Sequence, residues 1–166
     1  RRVLEDLRNA ADFLRPYDLI ERVLTRHGGR RRLIARLGPE AEDGIDAFLA
    51  QALAYGEAVC FARAEVFEAM CHERFTMTLV GPDGPTYWDK QSYLERVRSR
   101  GPADTLSFGI MDIDVAGDEI ARVHCWVDVE ALGTRFEDHL GFIKENGRWL
   151  LLTKVFRSLA RLDGEE

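Results

Sequence analysis

The hydrophobic period of this chain changes once, near Cys71, and that change restricts the folds open to it more than any other feature. Before it, apolar residues recur every three or four positions. Val3, Leu4, Leu7 and Leu14 form one set, Leu19, Ile20, Val23 and Leu24 a second, Leu33, Ile34 and Leu37 a third, and Ile45, Phe48, Leu49, Ala52 and Leu53 a fourth. Such spacing lays an apolar stripe along a helix. Pro16 drives Arg15 out of the helical region, Gly28-Gly29 makes continuation costly, and Gly38-Pro39 closes the third helix and opens the fourth. Gly56 predicts a further break, followed by a fifth helix carrying Val59, Ala62, Val66 and Met70 to about Cys71. Beyond Cys71 the period is two. Phe75, Met77 and Leu79 alternate with polar residues, and the turn chemistry of Gly81-Pro82-Asp83-Gly84-Pro85 leads into Thr86-Tyr87-Trp88, which predicts a hairpin. Asp89 suits the N-cap of a helix over 90 to about 100, with Tyr93, Leu94 and Val97 inward. Strands are expected over 106–115, 120–129, 136–144 and 148–157, the last two joined by Asn146-Gly147. Helices, a hairpin, a helix and an antiparallel meander together predict an α+β fold, a curved sheet packed on helices.

At 166 residues the chain buries enough surface to fold without a metal or a covalent staple. Its three cysteines, Cys60, Cys71 and Cys125, are odd in number, lack C-x-x-C spacing and sit in apolar runs, so they read as buried thiols. No apolar run approaches the roughly 18 residues of a membrane span, and the Arg1-Arg2 opening leads into an amphipathic pattern rather than a secretory signal, so a cytoplasmic protein is expected. Charge is uneven: residues 1–55 hold 10 basic and 9 acidic side chains, residues 56–166 hold 13 and 20. The acidic part is a poor ligand for polyanions. The one basic concentration, Arg26, Arg30, Arg31, Arg32 and Arg36, lacks interleaved aromatics and reads as a solvated face, so nucleic acid is not the expected partner.

Four runs carry a family resemblance: FEAMCHERFTM, YWDKQSYLERV, IDVAGDEIARVHCWVDV and RFEDHLGFIKENGRWLLLTKVFRSL. Over about 58–159 the chain resembles the nuclear transport factor 2-like superfamily, in particular its SnoaL-like and lumazine-binding members. That resemblance implies a cone-shaped domain with an open pocket and frequent homodimerisation through the outer sheet face, the pocket serving isomerisation, dehydration, cyclisation, epoxide opening or plain binding in different members. FLRPYDLIERVLTRHGGRRRLIARLGPEAEDGIDAFLAQALAY is similar to a helical segment of AddA-type helicase-nuclease subunits. No G-x-x-x-x-G-K-[ST] and no Gly-Lys pair occurs, so nothing here cradles nucleotide phosphates. The domains expected are a helical arm over 1–38 and a cone over 39–166, joined as a fusion.

A two-residue loop at Asn146-Gly147 fixes the register of the last hairpin and pairs Glu145 with Arg148, Ile143 with Leu150 and His139 with Lys154. One face then collects Phe136, Leu140, Phe142, Trp149, Leu151, Thr153 and Val155, with Asp138 the single ionisable side chain among them before Arg157. A carboxylate so placed is either a general acid or base for an apolar molecule, or an anchor paired with an arginine or a tryptophan N–H. The preceding strand puts Arg122, His124, Trp126 and Asp128 on one face; if Trp126 lies opposite Asp138, then His124 and Asp138 act as an acid–base pair. Trp88 and Tyr93 supply an aromatic pocket wall or plain core. The candidates are thus Asp138 and His124 for catalysis and Trp126, Trp88, Tyr93, Phe136, Leu140 and Asp128 for ligand contact. His27, His72, His124 and His139 lack the local spacing of zinc sites, and no redox cofactor motif occurs, so no metal or cofactor is expected. The function expected is small-molecule binding, with a cofactor-independent isomerase, hydratase or hydrolase as the enzymatic form. The alternative is a non-catalytic module that dimerises through the sheet while its basic arm contacts a protein or nucleic acid.

Overall fold

The computed structural model describes residues 42–162, so the three helices expected before Gly38, and the boundary expected between residues 38 and 39, lie outside the described residues. The chain divides into two compact units between Leu53 and Ala54. Helix α1, Glu42–Cys60, spans that division, and the rest of the described chain belongs to the second unit.

The second unit takes residues 54–60 of α1, then α2 (Ala64–Met70), β1 (Cys71–Gly81), β2 (Gly84–Asp89), α3 (Lys90–Arg98), β3 (Phe108–Ala116), β4 (Ile120–Val129), β5 (Thr134–Glu145) and β6 (Arg148–Arg161). The expected break at Gly56 does not occur. A Cβ there would lie 2.4–2.7 Å from the Phe108 ring, so the glycine admits a close approach and the helix runs through it. The chain turns later, at Ala62, whose φ of 53 places it in the left-handed region. Asp89 caps α3 as expected, its carboxylate accepting from the Ser92 N–H at 2.8 Å, and Tyr93, Leu94 and Val97 are buried.

The strands form one curved, unclosed six-stranded sheet in the order β2-β1-β6-β5-β4-β3. Every neighbouring pair is antiparallel except β1 and β6, which run parallel and bring the last strand to the middle of the sheet. Asn146 and Gly147, with φ of 51 and 75, make the tight turn their residue types favour. Tyr55, Phe67, Tyr93 and Phe75 form a core of rings with successive centroids 5.7, 5.0 and 5.3 Å apart. Cys60, Cys71 and Cys125 are free and buried, and burial pushes the Cys71 thiol up to about 12. Among the described residues no helix is long and apolar enough to cross a membrane.

Candidate functional site

The site is created by one extra residue in β6. From the Asn146-Gly147 turn the ladder runs as expected through Glu145–Arg148 and Ile143–Leu150 to Phe142–Leu151, but the next pair is Gly141–Thr153, so Leu152 opposes nothing. A bulge of this kind reverses the alternation beyond it. Thr153 and Val155 therefore face outward, and Lys154 turns inward with 5% exposure beside Asp138 at 0%. The expected pairing of His139 with Lys154 is corrected to His139 with Val155, and Asp138 is not the single ionisable group on its face. Gly141 accommodates the crowding: a Cβ there would sit 2.5 Å from Thr153 Oγ1.

Inside, three side chains close a triangle. Tyr55 Oη donates to Asp138 Oδ2 at 2.6 Å, while Lys154 Nζ donates to Tyr55 Oη at 2.7 Å and to Asp138 Oδ2 at 2.9 Å. Burial, and then the neighbouring Asp138 charge, pushes the Tyr55 phenol well above its ordinary range, so it remains a donor. Lys154 Nζ also lies 4.6 Å from the Phe156 ring centroid and 5.4 and 5.9 Å from those of Tyr55 and Tyr93, which stabilise a cation held away from water.

Lys154 forms part of the wall of a cavity of about 440 Å³. Val59, Met77, Leu79, Val97, Val129, Leu132, Phe136 and Phe156 supply its apolar surface, and Tyr93, Arg96 and Arg100 join Lys154 as its larger polar groups. Of the residues singled out from sequence, Tyr93 and Phe136 line this cavity, and Asp138 stands one hydrogen bond behind it through Lys154. Leu140 is buried in the core, and Trp88 lies beneath the Arg96 guanidinium, 4.7 Å from ring centroid to Cζ; neither lines the cavity.

The other residues singled out lie on the opposite face of the sheet. Cys125 pairs with Asp138 across β4 and β5, whereas Trp126 pairs with Glu137 and His124 with His139. Because successive side chains in a strand point to opposite faces, the expected pairing of His124 with Asp138 cannot form. His124 instead stacks on His139 at 4.2 Å and meets Glu137 Oε1 at 2.8 Å, while Arg157 donates to the other Glu137 oxygen. The Arg157 and His124 hydrogen bonds hold the Glu137 carboxyl below its ordinary range. Trp126 lies under the Arg135 guanidinium at 4.2 Å. Asp128 accepts from Arg135 Nε and Nη2 at 2.7 and 2.8 Å and from Ser107 Oγ. Burial pushes the Asp128 carboxyl up, but the Arg135 and Ser107 hydrogen bonds outweigh it and leave it lowered. Ligand atoms of His124, Glu137 and His139 lie within 4.8 Å of one another, a grouping able to hold a metal ion. Local histidine spacing does not reveal it, because the register across β4 and β5 creates it.

Lys154, Arg96 and Arg100 were missed from sequence. A cue for Lys154 exists in Trp149-Leu150-Leu151-Leu152, an unbroken apolar run that departs from strict alternation where the bulge occurs.

Residues 43–157 match the model of a family described as Putative lumazine-binding. Three solved structures described as nuclear transport factor 2-like proteins of unknown function share the fold. The one from Silicibacter pomeroyi is 21% identical, with 72% of this chain and 98% of that chain covered and a TM-score of 0.65. For that from Shewanella baltica the values are 20%, 70%, 94% and 0.63, and for that from Methylobacillus flagellatus 24%, 71%, 94% and 0.62. No curated protein matches the chain.

Proposed function

Since the chain belongs to the Putative lumazine-binding family, within the nuclear transport factor 2-like superfamily, we propose that its sheet-and-helix domain binds a small apolar or aromatic molecule in the cavity beside Lys154. The observation that carries this reading is an ammonium group, 5% exposed as a residue, in the wall of an otherwise largely apolar hollow of about 440 Å³. Ligand sites commonly occupy roughly 300–1,000 Å³ and combine apolar walls with a few fixed polar groups. A buried Lys–Asp–Tyr triangle is a poor device for stability alone, because a packed apolar trio is often as stable or more so. Its presence at a cavity wall supports a role in recognition or proton handling. Lys154 is the member a ligand would meet; Asp138 and Tyr55 are positioning residues that fix its ammonium and balance its charge. If the bound molecule is transformed, Lys154 polarises a carbonyl or enolate oxygen, which suits a cofactor-independent isomerase, hydratase or hydrolase. The heteroaromatic ring system in the family's description belongs to the size class such a hollow takes.

A thermal-shift screen of flat aromatic and heteroaromatic compounds, lumazine included, tests the reading. At least one compound is expected to raise the melting temperature of the full chain, a hundredfold excess over Kd contributing about 2.7 kcal/mol, and Asp138→Leu is expected to remove the response. A protein that ignores every compound yet sediments as a dimer would instead be the non-catalytic module.

A further inference from the structure

Three cations, Arg96, Arg100 and Lys154, line the cavity, and among the described residues no carboxylate does, although the chain as a whole carries a net charge of −6. Two of the residues that line the cavity also carry buried donors with nothing to donate to among the described residues. Tyr93 is 5% exposed, yet its buried hydroxyl has no hydrogen-bond partner among the described residues. Arg100 donates from Nη2 to the Val59 carbonyl at 2.8 Å, but its buried Nε likewise lacks a partner among the described residues. Lys154 carries three N–H donors and uses two, on Asp138 and Tyr55. Buried donors left without acceptors are costly, so a site that keeps them is built for a group that supplies acceptors. Asp138 Oδ1 is also unpartnered among the described residues, but it does not line the cavity. Burial drives the Tyr93 phenol well above its ordinary range, and the Arg100 charge pulls only partly against this, so Tyr93 offers a proton rather than a charge.

Resting on the binding proposed above, we infer that the ligand is an organic anion, a carboxylate or similarly charged oxygen acid on a flat apolar body. Its oxygens accept from Tyr93 Oη and Arg100 Nε, and its rings lie against Phe136 and Phe156.

Isothermal titration calorimetry of the full chain with 2-naphthoate and with 2-naphthylmethanol, which shares the ring system without the charge, tests this. Naphthoate is expected to bind at least about tenfold more tightly, the ratio a charge-assisted hydrogen bond supports. Tyr93→Phe keeps the ring packed against Phe67 and Phe75, and Arg100→Gln provides a second variant. Each is expected to lower naphthoate affinity severalfold or more and to narrow its preference over naphthylmethanol. Naphthylmethanol binding as well as naphthoate, or a preference that survives both substitutions, would overturn the inference and leave the binding reading standing. If neither compound binds to millimolar concentration, the inference and the binding reading beneath it fail together.

Discussion

Glu137 and Asp138 are neighbours in β5 and each is paired with a base from β6, yet one pair belongs to the wet face of the sheet and the other to its interior. Glu137, whose side chain is 11% exposed, meets Arg157 at 61%, whereas Lys154 and Asp138 are 6% and 0% exposed at their side chains. A pleated strand sends adjacent side chains to opposite faces, so a single peptide bond separates two electrostatic regimes. On the outer face, water reaches Arg157 and screens the attraction, and Glu137 keeps His124 as a second partner if Arg157 is lost. Inside, no such replacement exists, and each charge depends on the other. The same chemistry is therefore dispensable on one face and obligatory on the other.

The largest effect expected from that contrast is for Lys154→Met, which strands a buried carboxylate and should cost about 3–5 kcal/mol by urea denaturation. Removing the triangle as a unit, in Tyr55→Phe/Asp138→Leu/Lys154→Met, should recover most of that loss, because no unpaired polar group remains, while eliminating any ligand response. A triple variant no more stable than Lys154→Met would show that the group is chiefly a stability device. Arg157→Ala on the outer face should cost less than about 1 kcal/mol, and the difference should shrink as salt is raised. The smallest effect is in pH. The folded Glu137 carboxyl is lowered, so its contribution is complete above the unfolded value of about 4.3 and is lost as the pH falls through the lower folded value, the unfolded chain taking up its proton first. Glu137→Gln should therefore flatten the acid limb of the stability curve measured by chemical denaturation at a series of pH values.

Local signals were the legible ones. The alternation of β4 is regular enough to mark its ends, Asp89 stands where a cap is needed, and Asn146-Gly147 permits the turn that joins β5 and β6. What escaped depends on contacts between distant residues. Nothing near Cys71 announces that β1 will lie parallel to β6, and Gly56 reads as a helix breaker until the Phe108 ring is seen against it. The bulge at Leu152 is the most consequential omission, since period-two counting beyond it assigns the side chains from Thr153 to Ser158 to the wrong face. For that reason Asp138 was recognised as inward while Lys154, the group that reaches the cavity, was placed outside. The His124–Asp138 pairing rested on a register across the β4–β5 connection that sequence does not specify, and Cys125 occupies the position it required.

The central claim, an ammonium group fixed by Asp138 and Tyr55 at the edge of a ligand cavity, is open to direct observation because the chain has only three lysines, Lys90, Lys144 and Lys154. In a spectrum of the ¹⁵N-lysine-labelled protein, exposed ammonium signals are lost to exchange with water, whereas a buried and hydrogen-bonded one persists. The structure predicts a persistent signal that disappears in Lys154→Met and shifts when naphthoate is added. A Lys154 signal that exchanges as freely as a surface lysine's, or that stays unmoved while naphthoate demonstrably binds, would contradict it.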